Sequence, residues 1–341
     1  MALSVPRWLP LAALLSCLLP PAVSAAPEAG APLDARAWLA RIHAAANTGN
    51  YQGTLVCSAG GTMTSSRVAH YAVGDQVYEH IETLDGRPQR IVRLNDAVHT
   101  LWPQTRTAVV EKRETLAAWS TTPQEVDPQA LEQYELKREG EGRVAGRDAS
   151  VMLLEPRDTL RYPQRLWADQ ASGLVLRADV LGLPGAPGTL RAVLESTAFS
   201  EVAIGVKTQP EALAQSMSKL RQLDGYRVLR PQQVRTSLEA EGWALASPVP
   251  GFKLAGCTRR GMDTAGDDEP VLQAVFTDGL THVSLFVESY KPQRHRSEIQ
   301  AQHGATATLT LRRGEHWITA VGDVPAATLK LFAQAIERRR P

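Results

Sequence analysis

The 341-residue sequence, only 6% aromatic, is short of cysteine and of net charge, and each of these two shortages removes a class of protein. Three cysteines are too few for a disulfide-stapled scaffold, and they offer no zinc-ligand spacing. Lys and Arg number 37 against 36 Asp and Glu, a formal charge of +1. That balance lacks the basic excess that gathers nucleic acid, so no nucleic-acid partner is expected. Catalytic signatures are missing too: there is no Gly-x-Ser-x-Gly elbow, no His-Glu-x-x-His and no phosphate loop. The glycine-rich run Gly182–Gly188 carries two prolines and lies between two predicted strands, which makes it a turn. The eight histidines show no metal-ligand spacing, and His295 and His303 read as structural or surface residues. Cys57 has no basic neighbour to lower its pKa, and Asp267-Asp268-Glu269 reads as a solvated loop. No enzyme, no cofactor and no metal site are expected.

What is present begins with an export signal. Arg7 precedes an apolar run from Trp8 to Leu19, then Pro20-Pro21 and the small residues Ala22 to Ala26. Residues 1–25 are therefore expected to be a cleavable signal peptide, too short in their apolar run to span a bilayer. A lipoprotein reading of Leu14-Leu15-Ser16-Cys17 fits poorly because Leu15 is bulky. Cleavage leaves Cys57 and Cys257, expected as two buried thiols, with a bridge between the halves as the alternative.

The remaining length accommodates two domains. Asp34 caps a predicted helix to about Asn47, with Trp38, Ile42, Ala45 and Ala46 at helical spacing and Gly49 closing it. From Tyr51 the period becomes two. Strands are predicted over 51–57, 67–73, 76–81, 90–94, 97–102, 105–111, 143–155, 162–168, 174–181 and 189–202, with a short helix near Pro123 and Pro128. This is a large antiparallel sheet, strongly curved or an incomplete barrel, with a helix in its concavity. Leu213, Met217 and Leu220 mark a further helix, and Arg227–Gln233 reads as a connector. Hairpins around Asp278-Gly279 and Gly314, then a helix from about Val324 carrying Leu329, Phe332 and Ile336 on one face, form a second unit. The fold class is α+β. The expected division is a first domain over 34–206, a helical linker over 207–238 and a small C-terminal α+β domain over 239–341.

Two binding features follow. Trp38, Ile42, Tyr71, Tyr78, Trp102 and Trp167 are candidates to line a cavity between helix and sheet, because one helix cannot cover so many strands. Lys291, Arg294, His295 and Arg296, with Arg312-Arg313, form a basic cluster suited to an acidic peptide or a lipid phosphate, or else a solvated edge guarding the sheet.

Several stretches resemble a known family. Tyr51-Gln52-Gly53-Thr54, Met63 and Arg67-Val68-Ala69-His70 are similar to the opening of the MucB/RseB family of periplasmic sigma-factor regulators. Leu84-Asp85-Gly86, Ile91-Val92-Arg93, Arg143 to Arg147 and Tyr162 to Trp167 continue the match. Trp243, Val249-Pro250-Gly251-Phe252-Lys253, Thr277 to Leu280, Val283 to Glu288 and Val321 to Pro325 follow in order. Thr277 stands where a serine is more usual, and Cys57 where a large residue is expected.

The resemblance implies a first domain like the lipoprotein carriers LolA and LolB, a half-open antiparallel β-barrel with helices in its concavity. It implies a periplasmic negative regulator that binds the periplasmic segment of a transmembrane anti-sigma factor and shields it from proteolysis. A lipid such as lipid A or LPS, or a mislocalised lipoprotein, would release the shield. The alternative is a periplasmic lipoprotein or lipid carrier of the LolA type. Self-association into a homo-oligomer is left open. The basic set Lys291, Arg294, Arg296, Arg312 and Arg313 is then the candidate partner surface.

Overall fold

Asp34 starts the first helix as its sequence suggests: its Oδ1 accepts hydrogen bonds from Arg36 N and Ala37 N at 3.0 and 3.1 Å. The structure is a computed structural model and describes residues 34–74, 76–112, 130–185, 190–207, 223–261 and 269–339. The expected signal peptide and the helix around Leu213–Leu220 lie outside these residues, as does the stretch with Pro123 and Pro128. Helix α1 (Ala35–Thr48) buries Leu39, Ile42 and Ala46, one face of a 3.6-residue period.

The chain then builds β1 (Tyr51–Ala59), β2 (Thr62–Val73), β3 (Gln76–Thr83), β4 (Arg90–Leu94), β5 (Ala97–Trp102) and β6 (Thr107–Lys112) as a meander. A second run follows: β7 (Tyr134–Val144), β8 (Arg147–Pro156), β9 (Gln164–Asp169), β10 (Val175–Leu181) and β11 (Val193–Ile204). β11 pairs with β1 and joins the two runs. With β12 (Arg227–Leu229), which lies parallel to β6, they form one 12-stranded sheet in the order β12-β6-β5-β4-β3-β2-β1-β11-β10-β9-β8-β7. Among the described residues no ladder joins its two ends, so the sheet is unclosed.

A second sheet of seven strands contains β13 (Gln233–Arg235), β15 (Lys253–Arg260), β16 (Val271–Thr277), β17 (His282–Ser289), β18 (Ile299–His303), β19 (Thr306–Arg313) and β20 (His316–Gly322). Its order is β13-β15-β16-β17-β20-β19-β18. The short β14 (Trp243–Leu245) pairs with β21 (Ile336–Arg338), and α2 (Ala326–Ala335) covers one face. Strict alternation in β16 and β17 turns Leu272, Ala274, Phe276, Val283, Leu285 and Val287 toward that helix. Phe332 of α2 meets Phe252 and Phe276 at ring distances of 5.3 and 5.0 Å. Each such fully buried side chain contributes roughly 1.5–3 kcal/mol.

Two expectations are corrected. The single strand over 143–155 is two strands, β7 and β8, joined at Ala145-Gly146, both with positive φ (50° and 76°). β7 was unreadable because its Glu-, Arg- and Gly-rich sequence is exposed at a sheet edge, where charge and not apolar alternation is favoured. The connector over Arg227–Gln233 and part of the 207–238 linker are strands: β12 belongs to the first sheet and β13 to the second. The thiols of Cys57 and Cys257 are free, as expected, Cys257 buried and Cys57 half-buried.

Ala145 occupies a left-handed position that suits Asn or Gly in a two-residue hairpin turn. Ala145→Asn is expected to stabilise the protein by about 0.5–1 kcal/mol, measured by urea denaturation; an unchanged or lowered midpoint would count against that origin of strain.

Candidate functional site

The six expected cavity residues divide between the two faces of the first sheet. Leu39 and Ile42 of α1 pack on Leu154, Leu166, Ala168 and Val175, with Trp38 half-buried beside them. Ala45 joins a second cluster built on Val68, Leu176 and Phe199, to which Tyr51, Leu55 and Ile81 also pack. That defines the helix side. Val98 clusters with Ile91 and Ile81 on that side, and Trp102, four residues on in the same strand, shares it. Tyr71 and Tyr78 are cross-strand partners stacked at 6.3 Å, but they alternate with His70 and point to the opposite face. Trp167 also alternates away, between Leu166 and Ala168, and its ring lies under the Arg177 guanidinium at 4.4 Å. Trp38, Ile42 and Trp102 are therefore helix-side residues, and Tyr71, Tyr78 and Trp167 are not; the period was legible, but which parity faced the helix was not.

The helix side also carries a polar row that sequence reading missed. His70, 2% exposed, stacks on Tyr51 at 5.0 Å and donates from Nδ1 to Gly49 O at 2.7 Å. Its Nε2 faces Glu79 at 3.8 Å, and Arg93 reaches Glu79 at 3.3 Å. His70, Glu79 and Arg93 are successive register partners across β2, β3 and β4. Burial lowers the His70 pKa, against the opposing pull of Gly49 and Glu79. Burial also raises the Tyr51 phenol, with Glu79 adding to it. The expected-apolar surface thus has a built polar line.

In the second sheet the basic residues do not form one patch. Lys291 and Arg294 line a cavity of about 420 Å³ on the face away from α2. Arg296 is exposed on the same loop. Arg312 lies 3.9 Å over the Tyr290 ring, beside the His295–Trp317 stack. Arg313 alternates to the other face, where Nη1 donates to Gln334 O at 3.0 Å and to Ile336 O. It satisfies carbonyls at the end of α2, so its expected place in a partner surface is corrected to a helix-terminating one.

The most consequential group lies where the sheets meet. The β8–β9 loop carries Arg161, 0% exposed, whose Nε donates to Asp278 Oδ2, Nη1 to Asp158 and Nη2 to Pro250 O at 2.8 Å. Its guanidinium stacks 4.6 Å from the Phe252 ring. Tyr134 OH donates to the same Asp278 oxygen at 2.8 Å, and burial with that carboxylate pushes the phenol far up. Asp278 Oδ1 takes Leu280 N and Thr281 N, both at 2.8 Å. Around this polar centre the sheets exchange leucines: Leu160 packs on the second core and Leu280 on the first. Gly251, at φ +75°, is required here, because a Cβ would collide with Arg161 Nη2. Arg260 adds an ion pair to Glu111 of β6 at 2.6 Å. Glu195 of β11 accepts from Ala305 N; burial and the Asp323 charge raise its pKa, against Ala305 and His303. Sequence reading took Asp278-Gly279 as a turn and as part of a family-like stretch, and passed over Arg161. Among the described residues no group of three or more His, Cys, Asp or Glu could hold a metal, and no helix is long and apolar enough to cross a membrane.

Comparison with known proteins gives two family-model matches: the MucB/RseB N-terminal domain over residues 34–217 and the MucB/RseB C-terminal domain over 237–337. The chain is 27% identical over 309 residues to the sigma factor AlgU regulatory protein MucB of Pseudomonas aeruginosa, covering 89% of this chain and 90% of that protein. It is 24% identical to the sigma-E factor regulatory protein RseB of Haemophilus influenzae, with 90% and 92% covered. Among solved structures, the complex of Pseudomonas aeruginosa MucA and MucB matches with a TM-score of 0.65 and 26% identity, over 91% of this chain and 100% of the matched chain.

Two outcomes follow from the junction. Arg161→Met leaves Asp278 buried without its counter-charge and should cost about 3–5 kcal/mol in urea unfolding. Adding Asp278→Asn should recover part of it, and additive losses would deny the pairing. For Glu195, a raised folded pKa means that the native state holds the proton more tightly than the unfolded chain. The ionised group therefore costs stability above its folded pKa, and the cost vanishes below the ordinary glutamate value of about 4.3. Glu195→Gln should be more stable than the parent at pH 8 and equal to it near pH 4; a pH-independent difference would refute the assignment.

Proposed function

The chain belongs to the MucB/RseB family, and from that premise we propose that it binds the periplasmic segment of a transmembrane anti-sigma factor and shields it from regulated proteolysis. The observation that carries this is similarity over nearly the full length of both chains to MucB, a protein solved in complex with the periplasmic part of MucA. The junction supports it further, because a shield that spans two sheets needs them held in one relative position. From Asp34 onward they belong to one packed unit.

The finer reading assigns the strands β1 to β11 of the first sheet, within 34–206, as a half-open barrel that senses lipid A, LPS or a mislocalised lipoprotein on its helix side. Trp38 and Trp102 are its apolar contacts, Ile42 being fully buried in the α1 core, and the His70–Glu79–Arg93 row lies on the same side. A lipid acts as a signal only if it binds the free protein better than the partner-bound one. To turn 99% bound into 99% free the preference must reach about 10⁴-fold. The mature protein acts in the periplasm after removal of residues 1–25.

The decisive measurement is a protection assay. Periplasmic segment from the same organism's anti-sigma factor is incubated with its envelope protease, with and without the mature full chain. Slower cleavage in its presence, reversed by lipid A, is the expected result. Unchanged cleavage together with no segment binding would overturn the regulatory reading, and transfer of lipoprotein to an acceptor would install the carrier in its place.

A further inference from the structure

On the face of the second sheet away from α2, Ser289, Lys291 and Arg294 form one wall of the open cavity of about 420 Å³. Strand pairing sets Phe286 directly beside Thr319, and these two with Val271 make its floor. The volume lies in the range of ligand pockets and admits a large side chain with the backbone that carries it. The wall is held from behind. His295 Nδ1 accepts from Lys291 N at 2.9 Å, and Arg294 N and His295 N donate to Lys291 O. The His295 ring stacks on Trp317 at 4.8 Å with a 7° tilt, and its Nε2 faces Glu288 at 3.5 Å. A pocket whose wall is ordered before binding loses less entropy when it is filled.

The charges around the mouth are unequal in availability. Arg260 is engaged by Glu111 at 2.6 Å, and Glu288 faces His295. Lys291 makes no ion pair among the described residues, so its ammonium is the open cation of the rim. Glu269 lies on the lining as an open anion and repels a carboxylate at its own position. The ligand that fits is an apolar side chain with a carboxylate near it on the Lys291 side. We propose that this cavity is the seat of an apolar residue of the anti-sigma segment, with an adjacent acidic residue of that segment meeting Lys291. The assignment rests on the function proposed above and names the contact by which the second sheet takes part in it.

The test measures binding of the fluorescently labelled periplasmic segment to the mature full chain. Lys291→Glu reverses the rim charge, Thr319→Trp fills the floor from a strand position that favours aromatics, and Lys330→Glu makes the same charge change on exposed α2. Lys291→Glu and Thr319→Trp should each weaken binding about tenfold, as loss of a central contact does, with Lys330→Glu unchanged and melting temperatures preserved. If Thr319→Trp loses its cooperative melt, Thr319→Phe replaces it. Parent-like binding by both cavity variants refutes the pocket and leaves the regulatory reading standing. Weakening by Lys291→Glu alone reduces it to charge steering and refutes it equally. Loss of lipid A vesicle binding in Thr319→Trp, with segment binding intact, assigns the cavity to lipid and overturns the proposal. No binding by the parent removes the regulatory reading and this one with it.

Discussion

Arg161 is the residue on which the arrangement of the two sheets depends. A guanidinium removed from water must find nearly all its partners inside the protein, and here they come from both sides of the junction. Asp158 lies on its own loop, while Asp278 and Pro250 O belong to the second unit. Such a group has no satisfactory half-way position, because a small separation leaves charges buried without partners. The exchanged leucines act in the same sense, since parting the sheets exposes Leu160 and Leu280 together. Thr328 Oγ1 donating to Leu160 O at 2.9 Å extends the lock to α2. The polar centre fixes geometry and the apolar exchange supplies the driving force.

With the junction fixed, what each face of each sheet can do is set by alternation. In the first sheet the face away from α1 carries the cross-strand pair Arg90–Glu82, the Arg177–Asp179 pair within β10 and Trp167 under Arg177. The helix side combines apolar residues with the His70–Glu79–Arg93 row. In the second sheet the α2 side is core, and the other face holds the cavity and the Tyr290, His295 and Trp317 rings.

Much of this architecture was legible in the sequence. Asp34, the alternation of β2 to β6, the Asp278-Gly279 hairpin and the Leu329–Phe332–Ile336 face announced their elements through local signals. Strands at edges did not: β7 is charged and β18 is exposed at every residue, so neither carries an apolar period. The faces of Tyr71, Tyr78 and Trp167 were hidden for another reason. A period of two says that residues alternate but not which set meets the helix. The Arg161–Asp278 pair was hidden most deeply, because its members are 117 positions apart and nothing local marks a surface-type arginine as buried.

The same geometry constrains how a signal on one sheet reaches a partner on the other. Rigid-body parting of the sheets is opposed by the Arg161 centre, so a lipid effect needs a smaller change to travel across the junction. Arg260 is placed for that: it lines the cavity of the second sheet while its guanidinium is held by Glu111 of the first. Glu111 faces the helix side, opposite Val98 in β5, in the same cross-strand line as Arg93. A ligand that drew on Arg260 from the cavity would compete with Glu111, and one that perturbed Glu111 on the helix side would alter the charge presented in the cavity. Two binding events that share one ion pair cannot be independent, and by linkage each must change the affinity of the other by the same factor. The function proposed above, in which lipid and protein partner exclude one another, requires such reciprocal coupling.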